Sequence, residues 1–185
     1  MKPNWFIGLP IEASAWFSAV TAGVPDGVRV LHPLDLHLTV AFLGGCSPAA
    51  ARRGWEALEG CVHTAIEARL GALRGMGNPR RFSAYSLTLS EGHEEAAALL
   101  GAWRDLILPA AGAPEDPRPP LPHITVARPP RKADGGLRAA AKAWLTRQAI
   151  PPTSVTLDRV ALYTWANERG RGRFQIVAER LLDGG

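Results

Sequence analysis

One pattern occurs twice in the chain, as His37-Leu38-Thr39-Val40-Ala41 and again as His123-Ile124-Thr125-Val126-Ala127. The two copies lie 86 residues apart, and both consist of His, an aliphatic residue, Thr, Val and Ala. Each copy is followed by a loop with Gly or Pro and then by an Ala/Arg-rich segment that carries one tryptophan, Trp55 or Trp144. The repeat predicts a duplicated supersecondary unit, and therefore two lobes related by an approximate twofold axis.

The first copy has the composition of a buried strand, because aliphatic and β-branched residues fill it. Alternate residues of a strand share a face. His37 and Thr39 are therefore predicted on one face. The opposite face carries apolar residues that enter a core: Leu38, Val40 and Phe42. The second copy alternates in the same way, so a twofold axis between the lobes brings both His/Thr faces to one central cleft.

Two imidazoles at one cleft suit acid/base chemistry on a phosphate. A free histidine has a pKa of about 6.5, so one of His37 and His123 can be neutral while the other is protonated. The neutral ring can take a proton from an attacking water or hydroxyl, and the protonated ring can give one to the leaving oxygen. The hydroxyls of Thr39 and Thr125 can donate to the non-bridging phosphate oxygens. This scheme needs no metal ion and no other cofactor.

The acid/base interpretation depends on the His-x-Thr pattern occurring twice. A single His-x-Thr in a strand is usually structural, whereas two copies inside aliphatic strands favour function. Metal ligation by His37 and His123 is the nearest competing role. The sequence offers no HxxxH or CxxC spacing that would supply further ligands, so a metal site is not predicted.

The other segments mix strands and helices without strict alternation, which predicts an α+β fold with mostly antiparallel sheet and helices packed outside. The apolar patterns predict strands over 5–7, 28–31, 36–43, 82–89, 122–127, 153–164 and 173–181, and helices over 13–20, 48–66, 94–108 and 137–144. Glycines at 71–77 predict a loop, and six prolines among residues 109–122 predict a stiff connector.

Composition limits the class of protein. The 185 residues fit one bilobal domain, 1–185, and 46 % apolar with 21 % charged residues excludes a disordered chain, a collagen and a coiled coil. No apolar run approaches the ~18 residues that a membrane span needs, and early prolines argue against a signal peptide. Cys46 and Cys61 are too few for a disulfide framework. We therefore expect a cytoplasmic monomer.

The charge is unevenly distributed along the chain. Residues 1–117 hold 9 Lys/Arg and 12 Asp/Glu, whereas residues 118–185 hold 12 Lys/Arg and only 5 Asp/Glu, which leaves the whole chain at +4. A basic C-terminal third can meet a polyanion such as RNA or a nucleotide. With 18 arginines against 3 lysines, a plain solvated basic surface explains the same counts.

The two motifs resemble those of the two-histidine (2H) phosphoesterase superfamily. Within it, the chain looks most like the bacterial and archaeal 2′-5′ RNA ligase branch, whose members act as RNA 2′,3′-cyclic phosphodiesterases. The resemblance covers nearly the whole chain: the opening strand at 5–10, the first motif at 36–44, the second at 122–128 and the final strands around 162–163 and 174–177.

The resemblance implies a role for each motif residue. His37 would protonate the leaving ribose oxygen, His123 would activate the attacking water, and Thr39 and Thr125 would hold the phosphate. Arg128 occupies the family's arginine position after the second motif and would add positive charge. Strict alternation places Arg128 on the core side, so it reaches the cleft only if the strand bends before Pro129; otherwise it is a surface arginine.

Other candidates are aromatic or basic. Trp5 and Trp165 could stack a base. Arg131 and Lys132 after the second motif, and Arg52 and Arg53 after the first, could follow an RNA backbone. The loop with Arg169, Arg171 and Arg173 could meet phosphates. Two regions depart from the family pattern, residues 79–85 and Thr164, and both would shape the ribose and base pocket.

Three functions are consistent with the sequence. The first is hydrolysis of an RNA 2′,3′-cyclic phosphate to a 2′-phosphate, with joining of RNA ends through a 2′-5′ bond as a weaker activity. The second is a non-catalytic RNA-binding protein on the same fold. The third is a phosphodiesterase for a small cyclic nucleotide or an ADP-ribose cyclic phosphate. The expected partners are RNA ends or cyclic nucleotides, with no membrane.

Overall fold

Antiparallel strand pairing joins both halves of the chain into one sheet. The computed structural model describes residues 3–167 and 172–183. Its elements are β1 (Trp5–Pro10), α1 (Ala15–Thr21), β2 (Arg29–Val30), a 3-10 turn (Pro33–Asp35), β3 (His37–Gly44), α2 (Pro48–Glu56), β4 (Ile66–Asn78), β5 (Arg81–Glu91), α3 (His93–Ala111), β6 (His123–Arg128), α4 (Gly135–Arg147), β7 (Ser154–Leu157), β8 (Arg159–Trp165) and β9 (Phe174–Leu181).

The strand order shows the two lobes. It is β7-β4-β5-β6-β3-β1-β8-β9, with β2 paired to the end of β6. The motif strands β3 and β6 meet at the middle of this order, at the single pair Leu38↔Ile124. Leu38 and Ile124 are the same position of the two repeats, so their pairing is what a local twofold axis requires. The α+β, two-lobed antiparallel fold with a central cleft is thus confirmed.

The helices cover the face of the sheet that carries the aliphatic residues. Leu38 and Ile124 are 0 % exposed, and they join Ile107 of α3 and Trp144 of α4 in one continuous core. Ser47 caps the start of α2, because its Oγ accepts a hydrogen bond from the Ala50 amide at 3.2 Å and Pro48 follows at the first helical position. None of the helices in the described residues is long and apolar enough to cross a membrane.

Two expectations about the middle of the chain are wrong. Helix α2 ends at Glu56, not near residue 66, and Val62 from its expected stripe is exposed. The glycine-rich segment is the 13-residue strand β4, paired with β5. At Gly75 the ring of Phe82 lies directly over the backbone, where an added Cβ would come within 2.5 Å of it. The glycines of β4 therefore leave room for side chains of the neighbouring strand β5.

Each motif strand contains a β-bulge after its threonine. Gly8 pairs with Thr39 while Ile7 pairs with Ala41, which leaves Val40 as an extra residue. The register of β6 against β5 shifts at the same repeat position, between Thr125 and Ala127. A bulge reverses the alternation of the residues that follow it. Phe42 is therefore 58 % exposed instead of entering the core, and its prediction was wrong. Arg128, the equivalent residue of β6, is turned out of the core by the same irregularity.

Candidate active site

A cleft of about 560 Å³ lies on the face of the sheet opposite the core. His37 and Thr39 of β3 line it, together with His123 and Thr125 of β6. All four belong to the odd positions of the repeats, and Leu38 and Ile124 between them point into the core. The structure thus brings the two predicted His/Thr pairs to one site.

Both histidines are held in the same way. The Nδ1 of His37 donates to the Asp35 carbonyl oxygen at 2.7 Å, and the Nδ1 of His123 donates to the Leu121 carbonyl oxygen at 2.7 Å. Each acceptor is the backbone two residues earlier. Because a carbonyl can only accept, the proton of the neutral ring is fixed on Nδ1 and the Nε2 atom is left for another partner. The site therefore presents two equivalent Nε2 atoms.

Three aromatic residues surround His37, and we call them the aromatic wall: Phe6, Tyr163 and Phe174. Its ring centroid lies 4.6 Å from that of Phe6, 5.4 Å from Tyr163 and 6.0 Å from Phe174. Burial lowers the pKa of His37 from 6.5 to about 4, against the opposing effects of the hydrogen bond and charge of Asp35. Weaker repulsion from Arg128 and His123 acts in the same direction as burial. His37 is consequently neutral at pH 7 in the free protein.

The two threonines differ in their neighbours. Ser86 is 0 % exposed, and its Oγ shares a hydrogen bond of 3.0 Å with the Thr125 Oγ1. The position equivalent to Ser86 in the first lobe is Gly8, which pairs with Thr39. Within the residues that the structure describes, the Thr39 hydroxyl makes no hydrogen bond. One hydroxyl is therefore oriented by the protein, and the other is free to orient toward a ligand.

Four arginines form one wall of the cleft: Arg29, Arg128, Arg131 and Arg173. Arg29 pairs with Arg128 across β2 and β6. Desolvation lowers the pKa of Arg128, and the charges of Arg29 and Arg173 lower it further. Such a concentration of positive charge is favourable for an anion bound between the histidines.

Asp35 holds two sides of the cleft together. Its side chain is 2 % exposed, and its carboxylate accepts from the backbone amides of Arg173, at 2.8 and 2.9 Å, and Phe174, at 3.0 Å. An added Cβ on Gly172, whose φ is +92°, would lie 2.8 Å from the same carboxylate. The carboxylate thus fixes the start of β9 next to His37, and among the described residues Asp35 itself is the one acid that lines the cleft.

The tryptophans predicted to stack a base have separate positions. Trp165 lines the cleft, stacks on Phe174 at 5.2 Å and lies under the Arg173 guanidinium at 5.1 Å. Trp5 is only 9 % exposed, belongs to the main core and is not part of the cleft, so the structure does not support its contact with a base. Arg169 and Arg171 lie outside the described residues.

Sequence reasoning missed several residues of the cleft. Phe6, Ser86 and Phe174 looked like ordinary strand residues, and Asp35 looked like a loop carboxylate. Asp35 had one usable signal, since it lies two residues before His37, where its carbonyl can reach the ring. In residues 3–167 and 172–183 no three His, Cys, Asp or Glu side chains come together in a group that could hold a metal ion.

The curled antiparallel sheet and the paired His-x-Thr cleft define a two-histidine phosphoesterase. A family model described as the 2′-5′ RNA ligase superfamily matches residues 12–169, and the chain belongs to this superfamily. No curated protein sequence matches it significantly.

Solved structures agree on the fold. LigT of E. coli complexed with 3′-AMP is 20 % identical, with a TM-score of 0.72 over 97 % of this chain and 98 % of that chain. TT0787 of Thermus thermophilus is 18 % identical, with a TM-score of 0.68 over 97 % of each chain. Usb1 of Kluyveromyces marxianus is 11 % identical, with a TM-score of 0.53 over 98 % of each chain. At these identities the likeness shows a shared fold.

Proposed function

We propose that this chain is an RNA 2′,3′-cyclic phosphodiesterase that hydrolyses a terminal cyclic phosphate to a 2′-phosphate without a metal ion. One observation carries the proposal: two symmetry-equivalent histidines, each with Nδ1 bonded to a backbone carbonyl at 2.7 Å, present their Nε2 atoms to one cleft. A site of this kind supplies one proton acceptor and one proton donor to the same phosphate.

The reaction proceeds by one displacement at phosphorus. The neutral ring of His123 takes a proton from water, whose oxygen forms the new bond to phosphorus. The bond from phosphorus to the ribose 3′-oxygen breaks, and protonated His37 gives its proton to that oxygen. The products are a 2′-phosphate and a free 3′-hydroxyl. Each proton transfer contributes ~10²–10⁴-fold to the rate. When a 5′-hydroxyl takes the place of water, the same displacement breaks the bond to the 3′-oxygen and joins two RNA ends weakly through a 2′-5′ bond.

The negative charge of the transition state is met by donors on the cleft face, of which the Thr125 hydroxyl is already oriented by Ser86. The hydroxyls of Thr39 and Thr125 lie on the cleft face beside the two histidines, and Arg128 adds a full positive charge. Donors held in place before the reaction stabilise developing charge without reorganisation. Trp165, which lines the cleft next to Phe174, adds an apolar surface for the base or ribose.

The lowered pKa of His37 fits the acid role only with substrate bound. In the free protein His37 is neutral at pH 7, because burial disfavours its charged form. The phosphodiester anion brings a negative charge beside the ring and raises its pKa, so His37 gains its proton together with the substrate. A proton held in this way is readily released to the leaving oxygen.

The comparisons supply chemical precedent. E. coli LigT, to which the chain is similar, has been crystallised with 3′-AMP and with phosphate. A nucleotide phosphate bound in the cleft of this chain would meet both Nε2 atoms and the arginine wall. This supports a nucleotide phosphate as the ligand of the cleft.

The test is turnover of a 2′,3′-cyclic nucleotide and of a short RNA with a 2′,3′-cyclic end, with EDTA present. We expect His37→Ala and His123→Ala each to lower kcat by at least about 100-fold, because each removes one proton transfer. His93→Ala is the matched control, since His93 begins α3 and does not line the cleft.

Full activity of either cleft variant contradicts the mechanism. RNA binding that survives the loss of both histidines, with no product from the wild-type protein, identifies the chain as a non-catalytic RNA-binding protein. Turnover of small cyclic nucleotides alone assigns it instead to a nucleotide phosphodiesterase.

A further inference from the structure

A second cavity, of about 860 Å³, opens beside the catalytic cleft. The two cavities share all four arginines of the arginine wall, Arg29, Arg128, Arg131 and Arg173. Beyond this wall the second cavity is lined by four more basic side chains from two separate elements. They are Arg80 and Arg81 at the turn between β4 and β5, and Arg138 and Lys142 of α4. We call the surface around these four residues the basic groove.

The cations of the basic groove have no counter-charge along its lining in the part of the chain that the structure describes. Among the described residues, no Asp or Glu lines it. In the same ranges, the arginines that form ion pairs are others, such as Arg69, Arg104 and Arg159. The Nη2 of Arg81 donates a hydrogen bond to the Arg131 backbone carbonyl at 2.8 Å. Because this acceptor is neutral, it does not cancel the charge of the guanidinium. Like charges gathered without counter-charges repel one another, and an anion relieves that repulsion.

The dimensions exceed what one phosphate needs. Ligand cavities of about 300–1,000 Å³ enclose a drug-sized molecule, and the basic groove falls in this range without counting the cleft. Its floor includes Phe82, which is partly exposed and against which a base can stack. The groove therefore combines cations for a backbone with an aromatic face.

We propose that the basic groove binds the phosphates of the RNA strand on the 5′ side of the reacting end. Oligonucleotide ends are then the preferred substrates over free cyclic nucleotides. The strand runs from the two histidines, past the shared arginine wall, to Arg80, Arg81, Arg138 and Lys142. The position of the terminal phosphate rests on the proposed function, whereas binding of the upstream phosphates depends on the groove alone.

Binding is measured first, with a fluorescently labelled six-nucleotide RNA that ends in a 3′-phosphate. We compare the wild-type protein with Arg138→Ala/Lys142→Ala, which removes two cations of the groove. Arg52→Ala/Arg147→Ala is the matched control, because it removes the same charge from positions outside both cavities.

We expect the groove variant to bind the RNA at least about tenfold more weakly than the control variant. The slope of log K against log salt should fall by roughly 1.4, or about 0.7 for each lost phosphate contact on a single strand. Equal affinity and equal slope in the two variants overturn the proposal.

Turnover separates this proposal from the proposed function. We expect the groove variant to lose kcat/KM on a cyclic-ended oligonucleotide and to keep it on a 2′,3′-cyclic mononucleotide. If wild-type protein hydrolyses neither but the groove variant alone loses RNA binding, the proposed function fails and the groove remains. If both substrates are hydrolysed equally well by all three proteins, the groove proposal fails and the proposed function remains.

Discussion

Asp35 connects three parts of the cleft through one residue. Its carbonyl fixes the tautomer of His37, and its carboxylate fixes the amides of Arg173 and Phe174. Phe174 in turn packs edge-on against the His37 ring. The buried charge is stabilised by hydrogen bonds from the backbone, which a neutral side chain of the same shape cannot reproduce fully.

Replacing Asp35 by Asn should destabilise the fold and loosen β9. The amide has one accepting oxygen, and its NH2 group would face backbone N–H groups that need an acceptor. We expect a loss of about 2 kcal/mol in the free energy of unfolding, measured in urea, because hydrogen bonds to a charged group are worth ~1.5–3 kcal/mol. Asp26→Asn, at an exposed position, is the control. Values for the two variants within about 0.5 kcal/mol of each other would contradict this role of Asp35.

Each of the strands β3 and β6 carries a bulge after its threonine, and this bulge decides which face the following residues occupy. The repeat of His, aliphatic, Thr and Val predicts a strand whose His and Thr share a face, and the structure agrees. Strict alternation fails beyond that point, because the extra residue at Val40 turns Phe42 toward the cleft. A bulge depends on the register with the neighbouring strand, and register is not visible in one strand's own sequence.

Elements set by their own local pattern could be predicted from the sequence, whereas features that depend on a distant partner could not. Local patterns predicted β5, β6 and α3, whose apolar residues follow the period of their own element. Strand β4 was missed because its glycines fit a strand only where a bulky neighbour covers them, as Phe82 covers Gly75. The cleft residues Ser86 and Asp35 were missed for the same reason, since their partners lie 39 and 138 residues away in the chain.

Gly8 lies opposite the bulge of β3, and a substitution there tests whether the close approach of β1 and β3 is required. An added Cβ at Gly8 would lie 2.7 Å from the Leu38 carbonyl oxygen and 3.4 Å from Cδ2 of His37. Because the nearer atom is backbone, Gly8→Ala must push β1 away from β3, and we expect it to cost ~1–3 kcal/mol of stability, as overpacking does. Gly135→Ala is the control, since its Cβ would meet nothing within 4 Å at the start of α4. A chemical denaturation curve for Gly8→Ala that matches wild type would show that the close approach is not required.

At the scale of the whole molecule, the two lobes share a backbone plan and differ in what they offer a ligand. The first lobe surrounds its histidine with Phe6, Tyr163 and Phe174. The second lobe carries the basic groove and Arg128. Duplication thus supplies the symmetric pair of histidines, and divergence gives one lobe an apolar surface and the other a cationic one. The basic C-terminal third of the sequence contributes Arg128, Arg131, Arg138 and Lys142 to this asymmetry.

The burial of His37 makes the stability of the whole molecule depend on pH. Its pKa is 6.5 in the unfolded chain and about 4 in the folded protein. Between these values the unfolded chain binds the proton more strongly, so stability is complete above pH 6.5 and is lost as the pH falls toward 4. At pH 5 the expected loss from His37 is about 2 kcal/mol, from 1.36 kcal/mol per pH unit.

The measurement compares the free energy of unfolding at pH 7 and pH 5 in the wild type, His37→Gln and His93→Gln. Glutamine does not titrate, so His37→Gln should lose about 2 kcal/mol less on acidification than the wild type. His93→Gln should behave as the wild type does, because His93 lies at the start of α3, away from the aromatic wall. An NMR titration of the His37 ring with a midpoint near 6.5, or equal acid sensitivity in all three proteins, would mean that the aromatic wall does not exclude water from His37.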